Sequence, residues 1–252
     1  MMHTASNIKV ALVWAVAGGL ATAAVMPYAF ALFPIDSMKV QVPLAIIAAV
    51  QVAQSAVLLF LLSWVGLICA TRLGLDSPVI RSWLNGQVPD RLPRRAAIAA
   101  LLGCAVGFLI IAMSAAFDTH MPPSLRPLPQ IALWKRLLAT PYGGIVEECL
   151  CRLFLLSVLA WLLAKVCGRT NQALRGWFAW SVIAISSLLF GIGHLPAVAQ
   201  IWPITIFVVL RTVMLNTIGG LLFGWLFWHR GFEYSVIAHF CADFVLHGVG
   251  SG

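Results

Sequence analysis

Seven long apolar segments alternate with short polar or proline-rich breaks along the chain. Each is close to the roughly 20 helical residues that cross a hydrocarbon layer of about 30 Å. The segments lie near residues 8–33, 42–70, 96–117, 143–166, 177–194, 203–228 and 232–250. The pattern therefore predicts an all-α protein, a polytopic transmembrane helical bundle of about seven spans.

The stretch before the fourth segment leaves the count at seven or eight. Between Pro129 and Thr140, leucine and isoleucine alternate with glutamine, lysine and arginine. This is typical of a short amphipathic or re-entrant helix.

Composition agrees with insertion into a bilayer. Of the 252 residues, 62% are hydrophobic and only 10% are charged, more apolar side chain than a soluble core can bury. The net charge of +8 would favour nucleic acid as a partner of a soluble protein. Here most cations lie in the breaks between apolar segments, so we interpret them as topology signals and expect no nucleic-acid partner.

The longest polar connection predicts the orientation. Between Thr71 and Arg95 it carries five arginines against two aspartates, which places it in the cytoplasm. Because successive spans cross the membrane in opposite directions, the fourth span would start, and the fifth would end, on the outer side.

Few ionisable side chains fall inside the predicted spans. Each costs roughly 2.5–3.5 kcal/mol to insert, so each indicates a function or a buried partner. Apart from Arg211 they form three groups: Glu147, Glu148 and Arg152 in the fourth span, His194 in the fifth, and His239, Asp243 and His247 in the last.

The first group places two adjacent carboxylates near the start of a helix. Glu148 and Arg152 are four residues apart with the acid first, the better order for a helical ion pair. Glu147 points about 100° away around the helix. The pair would hold Glu148 ionised and leave Glu147 as a candidate general base. Alternatively, both acids only complement the helix dipole.

The other two groups contain the histidines. His194 closes the fifth span and is either a buried hydrogen-bonding partner or a functional residue. His239, Asp243 and His247 are four residues apart, so they share one inward face of the last span. An interhelical hydrogen-bond stripe and a zinc site both remain compatible with that face.

Together the groups resemble the motifs of the CPBP family of intramembrane proteases, which includes CAAX prenyl endoproteases and Abi-like bacterial relatives linked to bacteriocin processing or immunity. The motifs are EExxxR as Glu147, Glu148 and Arg152, FxxxH as Phe190 and His194, and HxxxN/D as His239 and Asp243. A glycine-rich segment over 216–224 is similar to the family's helix before the last motif. Better-studied members carry Asn where this chain has Asp243, and an acid donates to an oxyanion only when protonated.

The resemblance covers roughly residues 130–247. By motif content we divide the chain into N-terminal transmembrane helices over 1–125, without a recognised motif, and a CPBP-like catalytic core over 126–252. No break is long enough to separate two independent domains.

The resemblance implies an endopeptidase acting on membrane-associated, prenylated CAAX-type or bacteriocin-like peptides. In it, Glu147 and His194 would activate water, His239 and Asp243 would stabilise the oxyanion, and Glu148 with Arg152 would orient the site. No cofactor is favoured, although zinc stays an alternative. Its ligands would then be Glu147, His194, His239 and Asp243, but no HExxH motif occurs.

Two other functions stay open from the residues alone. One is a non-catalytic immunity factor or scaffold, and the other is a proton-coupled transporter, which usually shows repeated halves. We expect a multi-pass protein of the bacterial inner membrane, with the lipid bilayer and a peptide or membrane-anchored protein substrate as partners. The face to which the site opens is undecided, because CAAX-type processing implies the cytoplasm and the charge bias implies the outer side.

Overall fold

A computed structural model describes residues 6–33, 42–169 and 172–250. Within these ranges the chain forms α-helices joined by short connections and contains no strand. The α-helices are α1 (Asn7–Leu32), α2 (Leu44–Thr71), α3 (Pro78–Leu84), α4 (Leu92–Ala115), α5 (Leu133–Leu137), α6 (Ser157–Val166), α7 (Gly176–Gly193), α8 (Leu195–Val198), α9 (Ile206–Arg230) and α10 (Phe232–Val249).

Six helical segments among the described residues are long and apolar enough to span a membrane, which confirms the predicted polytopic bundle. They are Asn7–Leu32, Leu44–Thr71, Leu92–Ala115, Leu133–Val166, Gly176–Val198 and Ile206–Arg230. The seventh predicted span is α10, whose 18 residues include four ionisable side chains that lower its hydropathy. The possible eighth is no separate element, because α5 continues into α6 as one helix of 34 residues, Leu133–Val166, called the motif helix below.

The motif helix departs from α-helical geometry where it carries EExxxR. Two π-helical stretches, Tyr142–Glu147 and Cys149–Leu156, lie between α5 and α6. In a π turn each N–H bonds five residues back, and such turns are frequent at functional sites. Close packing surrounds this stretch. A Cβ added to Gly66 of α2 would stand 2.1 Å from the carbonyl oxygen of Leu153.

Small residues bring α4 and α10 into close contact. A Cβ at Gly103 would lie 2.1 Å from the carbonyl oxygen of Ala238, and one at Gly107 would lie 2.9 Å from that of Ala242. Because lipid supplies no hydrophobic force between helices, such backbone approaches are the main source of packing energy in a membrane. Glycines on α4 therefore hold α10, the helix that carries His239 and Asp243.

A buried polar cluster fixes the first turn of α10. Trp14 Nε1 donates to Ser77 Oγ at 3.0 Å, and Ser77 Oγ donates to Glu233 Oε1 at 2.6 Å. The backbone N–H of Ile80 donates to the same carboxylate oxygen at 2.8 Å. The polar connection over 72–91 is thus joined to α1 and to α10 at one end of the bundle.

The N-terminal helices pack on the half of the chain that carries the three motifs. Helices α1 and α2 lie side by side, and both contact the π-helical part of the motif helix. At the bundle end away from Ser77, Arg126 Nη2 donates to the carbonyl oxygen of Leu32 at 2.7 Å. The division at residue 125 stays a prediction based on motif content.

Candidate active site

Glu148 is fully buried, and both of its carboxylate oxygens have partners. Its Oε1 lies 2.9 Å from Arg152 Nη1 and 2.8 Å from His239 Nδ1. The hydroxyl of Ser235 donates to Oε2. A guanidinium in an ion pair, an imidazole N–H and a hydroxyl therefore surround this carboxylate and fix its position. The i,i+4 ion pair expected from the spacing is present, and it joins the motif helix to α10.

Arg152 is enclosed by two aromatic rings. Its guanidinium carbon lies 4.5 Å from the ring centroid of Phe190 and 5.3 Å from that of Phe223. Cation–π contact of this kind strengthens when the cation is removed from water, and only 1% of the side chain is exposed. The phenylalanine of the FxxxH motif therefore supports the arginine of the EExxxR motif.

Glu147 faces a cavity instead. Its Oε2 lies 3.9 Å from Nε2 of His194 and 3.8 Å from Nε2 of His239, beyond direct hydrogen-bond distance. A quarter of its side chain is exposed. One of the two adjacent carboxylates is thus locked in place, and the other is accessible to a reactant.

Both histidines present Nε2 to Glu147 because Nδ1 is engaged elsewhere. Nδ1 of His194 donates to the carbonyl oxygen of Phe190 at 2.9 Å, and Nδ1 of His239 donates to Glu148. Carbonyl and carboxylate oxygens only accept, so the Nδ1 atoms carry the hydrogens. The ring of His239 also stacks on Phe223, with centroids 4.4 Å apart. Nε2 is the nitrogen of each ring left for chemistry.

Asp243 follows His239 by one turn of α10. Its Oδ1 lies 3.7 Å from Nε2 of His239. Gly143 of the motif helix lies directly opposite, where a Cβ would stand 1.9 Å from Asp243 Oδ2. Glycine is required there so that the carboxylate can approach the helix. Its neighbour Gly144 packs in the same way against Phe240.

These groups line a cavity of about 800 Å³. Its polar lining from the catalytic half consists of Tyr142, Glu147, His194, Asn216, His239, Asp243 and His247. Helices α1 and α2 contribute the opposite wall, with the polar side chains Thr22, Gln51, Gln54 and Ser55. The structure therefore brings all six predicted site residues together, four at the cavity and Glu148 with Arg152 behind it.

The family model of the type II CAAX prenyl endopeptidase Rce1-like proteins matches residues 129–245, which contain all three motifs. Over this stretch the chain is similar to that family. The predicted family resemblance and the predicted enzyme class, a CAAX-type peptidase, are confirmed. No curated protein and no solved structure matches the chain.

Two contributors to this peptidase site escape motif-based prediction. Ser235, which binds Glu148, lies four residues before His239, so the spacing that united His239, Asp243 and His247 would also have revealed it. Phe223, which stacks on His239, lies inside the glycine-rich segment 216–224, but no local signal distinguishes it there.

His247 lies between the catalytic cavity and a second cavity of about 460 Å³. Its ring meets that of Tyr28 edge to face, with centroids 5.4 Å apart. Tyr28 and Leu32 line both cavities as well. Arg211, which lay outside the three groups, donates to Ser114 Oγ at 2.7 Å and has no part in the site.

A metal was the open alternative for these residues. Within the part of the chain that the structure describes, no group of three or more His, Cys, Asp or Glu side chains has the arrangement of a metal site.

Proposed function

We propose that this peptidase hydrolyses a peptide bond of a prenylated CAAX-type or similar membrane-associated peptide, using water activated by Glu147. The different surroundings of Glu147 and Glu148 carry the proposal. Three donors surround Glu148, whereas Glu147 faces the cavity and both Nε2 atoms. Similarity to the CAAX endopeptidase family supports a peptide substrate.

The separation of Glu147 from the two imidazoles suits a bridging water. Distances of 3.8 and 3.9 Å are too long for direct hydrogen bonds but match groups that share one water molecule. In the proposed reaction, the water oxygen attacks the peptide carbonyl carbon while Glu147 accepts a proton. General-base assistance of this kind contributes about 10²–10⁴-fold.

His239 and Asp243 would stabilise the tetrahedral oxyanion. Nε2 of His239 would donate to the oxyanion with the ring doubly protonated, while its Nδ1 hydrogen stays bound to Glu148. Protonated Asp243 would act as a second donor. The C–N bond then breaks, and Glu147 returns the proton to the leaving amine nitrogen. Loss of one such donor typically costs about 10²–10³-fold in rate.

The second cavity would hold the released C-terminal end of the substrate. Arg136 lines it, and its Nε atom is buried without a hydrogen-bond partner. One Nη2 hydrogen bond goes to the carbonyl oxygen of Gly250, so most of the five N–H donors stay available. Among the described residues Arg136 forms no ion pair, and a substrate carboxylate would supply one.

The distance between Arg136 and Glu147 fits a short C-terminal segment. The two residues are 11 apart in the motif helix, a rise of about 16 Å at α-helical geometry. Three extended residues cover about 10 Å. The arginine side chain can close the remaining gap.

We further propose that the reaction needs no zinc, with a zinc-dependent mechanism as the alternative. The purified protein should then contain far less than one equivalent of zinc and keep its activity after treatment with a strong chelator. A zinc enzyme would need three protein ligands and one open position. Stoichiometric zinc, lost together with activity on chelation, would overturn this part of the proposal.

The substrate can be sought by comparing membrane proteomes. Cells expressing the wild type or Glu147→Gln, at equal protein levels, should differ in peptides that accumulate uncut in the variant. The expected substrates are membrane-associated chains with a lipidated or apolar segment near the cut. Bacteriocin-like peptides would appear in the same comparison, and a location in the bacterial inner membrane would place the enzyme beside them. Identical proteomes would contradict the proposal.

A further inference from the structure

Four arginines surround a cavity at the bundle end opposite the active site. The cavity has a volume of about 220 Å³ and lies between the start of α4 and the end of α9. Its lining consists of Arg91, Arg94, Arg95 and Arg230 with the apolar residues Ile98, Trp225 and Leu226. None of these residues takes part in the proposed reaction.

The positive charge in this cavity is largely uncompensated. No carboxylate lines it, and the nearest acid in sequence, Asp90, reaches only Arg91 at 3.3 Å with both side chains mostly exposed. Within the described ranges Arg94, Arg95 and Arg230 form no ion pair. Cytoplasmic loops generally carry an excess of lysine and arginine near the helix ends. That bias does not explain why arginines from two helices line the same cavity.

The arginines also oppose the local helix dipole. Arg91 immediately precedes α4, and Arg94 and Arg95 lie in its first turn, the positive end, where no acidic residue and no side-chain cap is present. Arg91 adopts a left-handed backbone conformation with φ of 55°, which is unfavourable for an arginine. An anion at this position would interact favourably with both the guanidinium groups and the helix end.

A hydrophobic strip leads away from the cavity into the membrane. On α4, Ile98, Leu101 and Phe108 are 44%, 70% and 53% exposed. Their spacing of three and seven residues places them on one face of the helix. A molecule that combined a phosphate with an acyl chain would match the arginines and this strip together.

We propose that the cavity binds the phosphate headgroup of an anionic phospholipid, with an acyl chain along the exposed face of α4. Basic pockets between helices on the cytoplasmic side recognise such headgroups. The site has a direct structural path to catalysis, because Gly103 and Gly107 of the same helix pack against α10. Occupancy should therefore stabilise the helix that carries His239 and Asp243.

The test is thermal unfolding of the full chain in neutral detergent with added dioleoyl phosphatidylglycerol or dioleoyl phosphatidylcholine. Phosphatidylglycerol should raise Tm by about 5 °C at saturation, and phosphatidylcholine should raise it by less than half as much. A triple variant with Arg94→Gln, Arg95→Gln and Arg230→Gln should lose the difference. The matched control removes three cations elsewhere, with Arg72→Gln, Lys165→Gln and Arg169→Gln, and should keep it.

Three results in the lipid experiment would overturn the proposal. They are equal shifts with the two lipids, an undiminished shift in the first triple variant, and an equal loss in the control, which would indicate non-specific attraction. Inorganic phosphate at millimolar concentration is the additional probe. If it gives the full shift, the cavity is a free-anion site and the lipid assignment is wrong. Native mass spectrometry of the wild type with both lipids measures the selectivity without relying on any variant.

Discussion

Two neighbouring glutamates show how the surroundings of a residue determine its role. Glu148 is fixed by Arg152, His239 and Ser235 from two helices, so it acts by positioning. Glu147 keeps an oxygen directed at the cavity, at similar distances from two imidazole nitrogens. Identical side chains at adjacent positions thus have one enclosed and one accessible carboxylate, to which we assign the positioning and the reactive role.

Because Glu148 has a positioning role, its replacement should lower the stability of the protein. Glu148→Gln leaves Arg152 buried without a negative partner, which typically costs about 3–5 kcal/mol. The Tm in detergent should fall clearly below that of the wild type. The matched control is Glu147→Gln, the same change in the preceding residue, whose side chain is partly exposed. Its Tm should equal that of the wild type. Equal melting of all three proteins would show that the ion pair does not support the fold.

Replacing Gly143 by alanine should lower activity, although the substitution changes no titratable group. In Gly143→Ala the new Cβ would stand 1.9 Å from Asp243 Oδ2, so the carboxylate and His239 must shift. Peptidase activity should fall by at least tenfold, because misplacement of about 1 Å at a catalytic group costs on the order of 10²-fold. Gly193→Ala serves as the control, since no atom lies within 4 Å of its added Cβ. Comparable activity in the two variants would refute the packing argument.

At the scale of elements, the motif helix determines the site geometry. Its membrane span over 143–166 and the spacing of its motif could be predicted, because a membrane span needs a continuous apolar run and an ion pair needs positions four apart. Its continuation back to Leu133 as one helix could not. The π-helical turns could not, since no local sequence signal marks them; the second of them packs closely against Gly66 of α2. For the same reason the contact of Gly143 with Asp243 appears only once the motif helix and α10 are adjacent.

Arg136, near the start of the motif helix, predicts that the enzyme prefers peptide substrates with a free C-terminal carboxylate. A prenylated CAAX peptide with a free acid should show a KM at least tenfold lower than its C-terminal amide, since a charge-assisted hydrogen bond contributes about 1.5–3 kcal/mol. Arg136→Gln should abolish the difference. Lys135→Gln should preserve it, because Lys135 lies over the ring of Trp134 and does not line the second cavity.

Binding to the inactive Glu147→Gln protein separates this prediction from catalysis. The acid should bind at least tenfold more tightly than the amide there as well. Equal binding would refute the role of Arg136 even if the wild type cleaves both peptides. Failure of the wild type to cleave either peptide would instead refute the proposed substrate class.

At the scale of the whole molecule, the two ends of the bundle have different chemistry. One end carries the polar connection over 72–91 and the four-arginine cavity. The active-site cavity includes Leu32 and Phe33 at the far end of α1, and so lies toward the other face. If the arginine-rich end is cytoplasmic, the active site opens toward the outer side.

Cysteine labelling tests this orientation. Cys167 follows α6 and is the exposed one of the six cysteines. A membrane-impermeant maleimide should label it only after the cells are broken. In a Cys167→Ser background, Thr119→Cys on the exposed connection after α4 should be labelled in intact cells. The reverse pattern would place the active site on the cytoplasmic side.

Glu147 is the residue proposed to activate the water that cleaves the peptide. Its most direct test is the turnover of a prenylated CAAX peptide by purified wild type and Glu147→Gln, both shown to have the same Tm. The variant should lose at least about 10²-fold in kcat, the lower range for removal of a general base. A folded Glu147→Gln protein that retains more than a few per cent of the wild-type rate would contradict it.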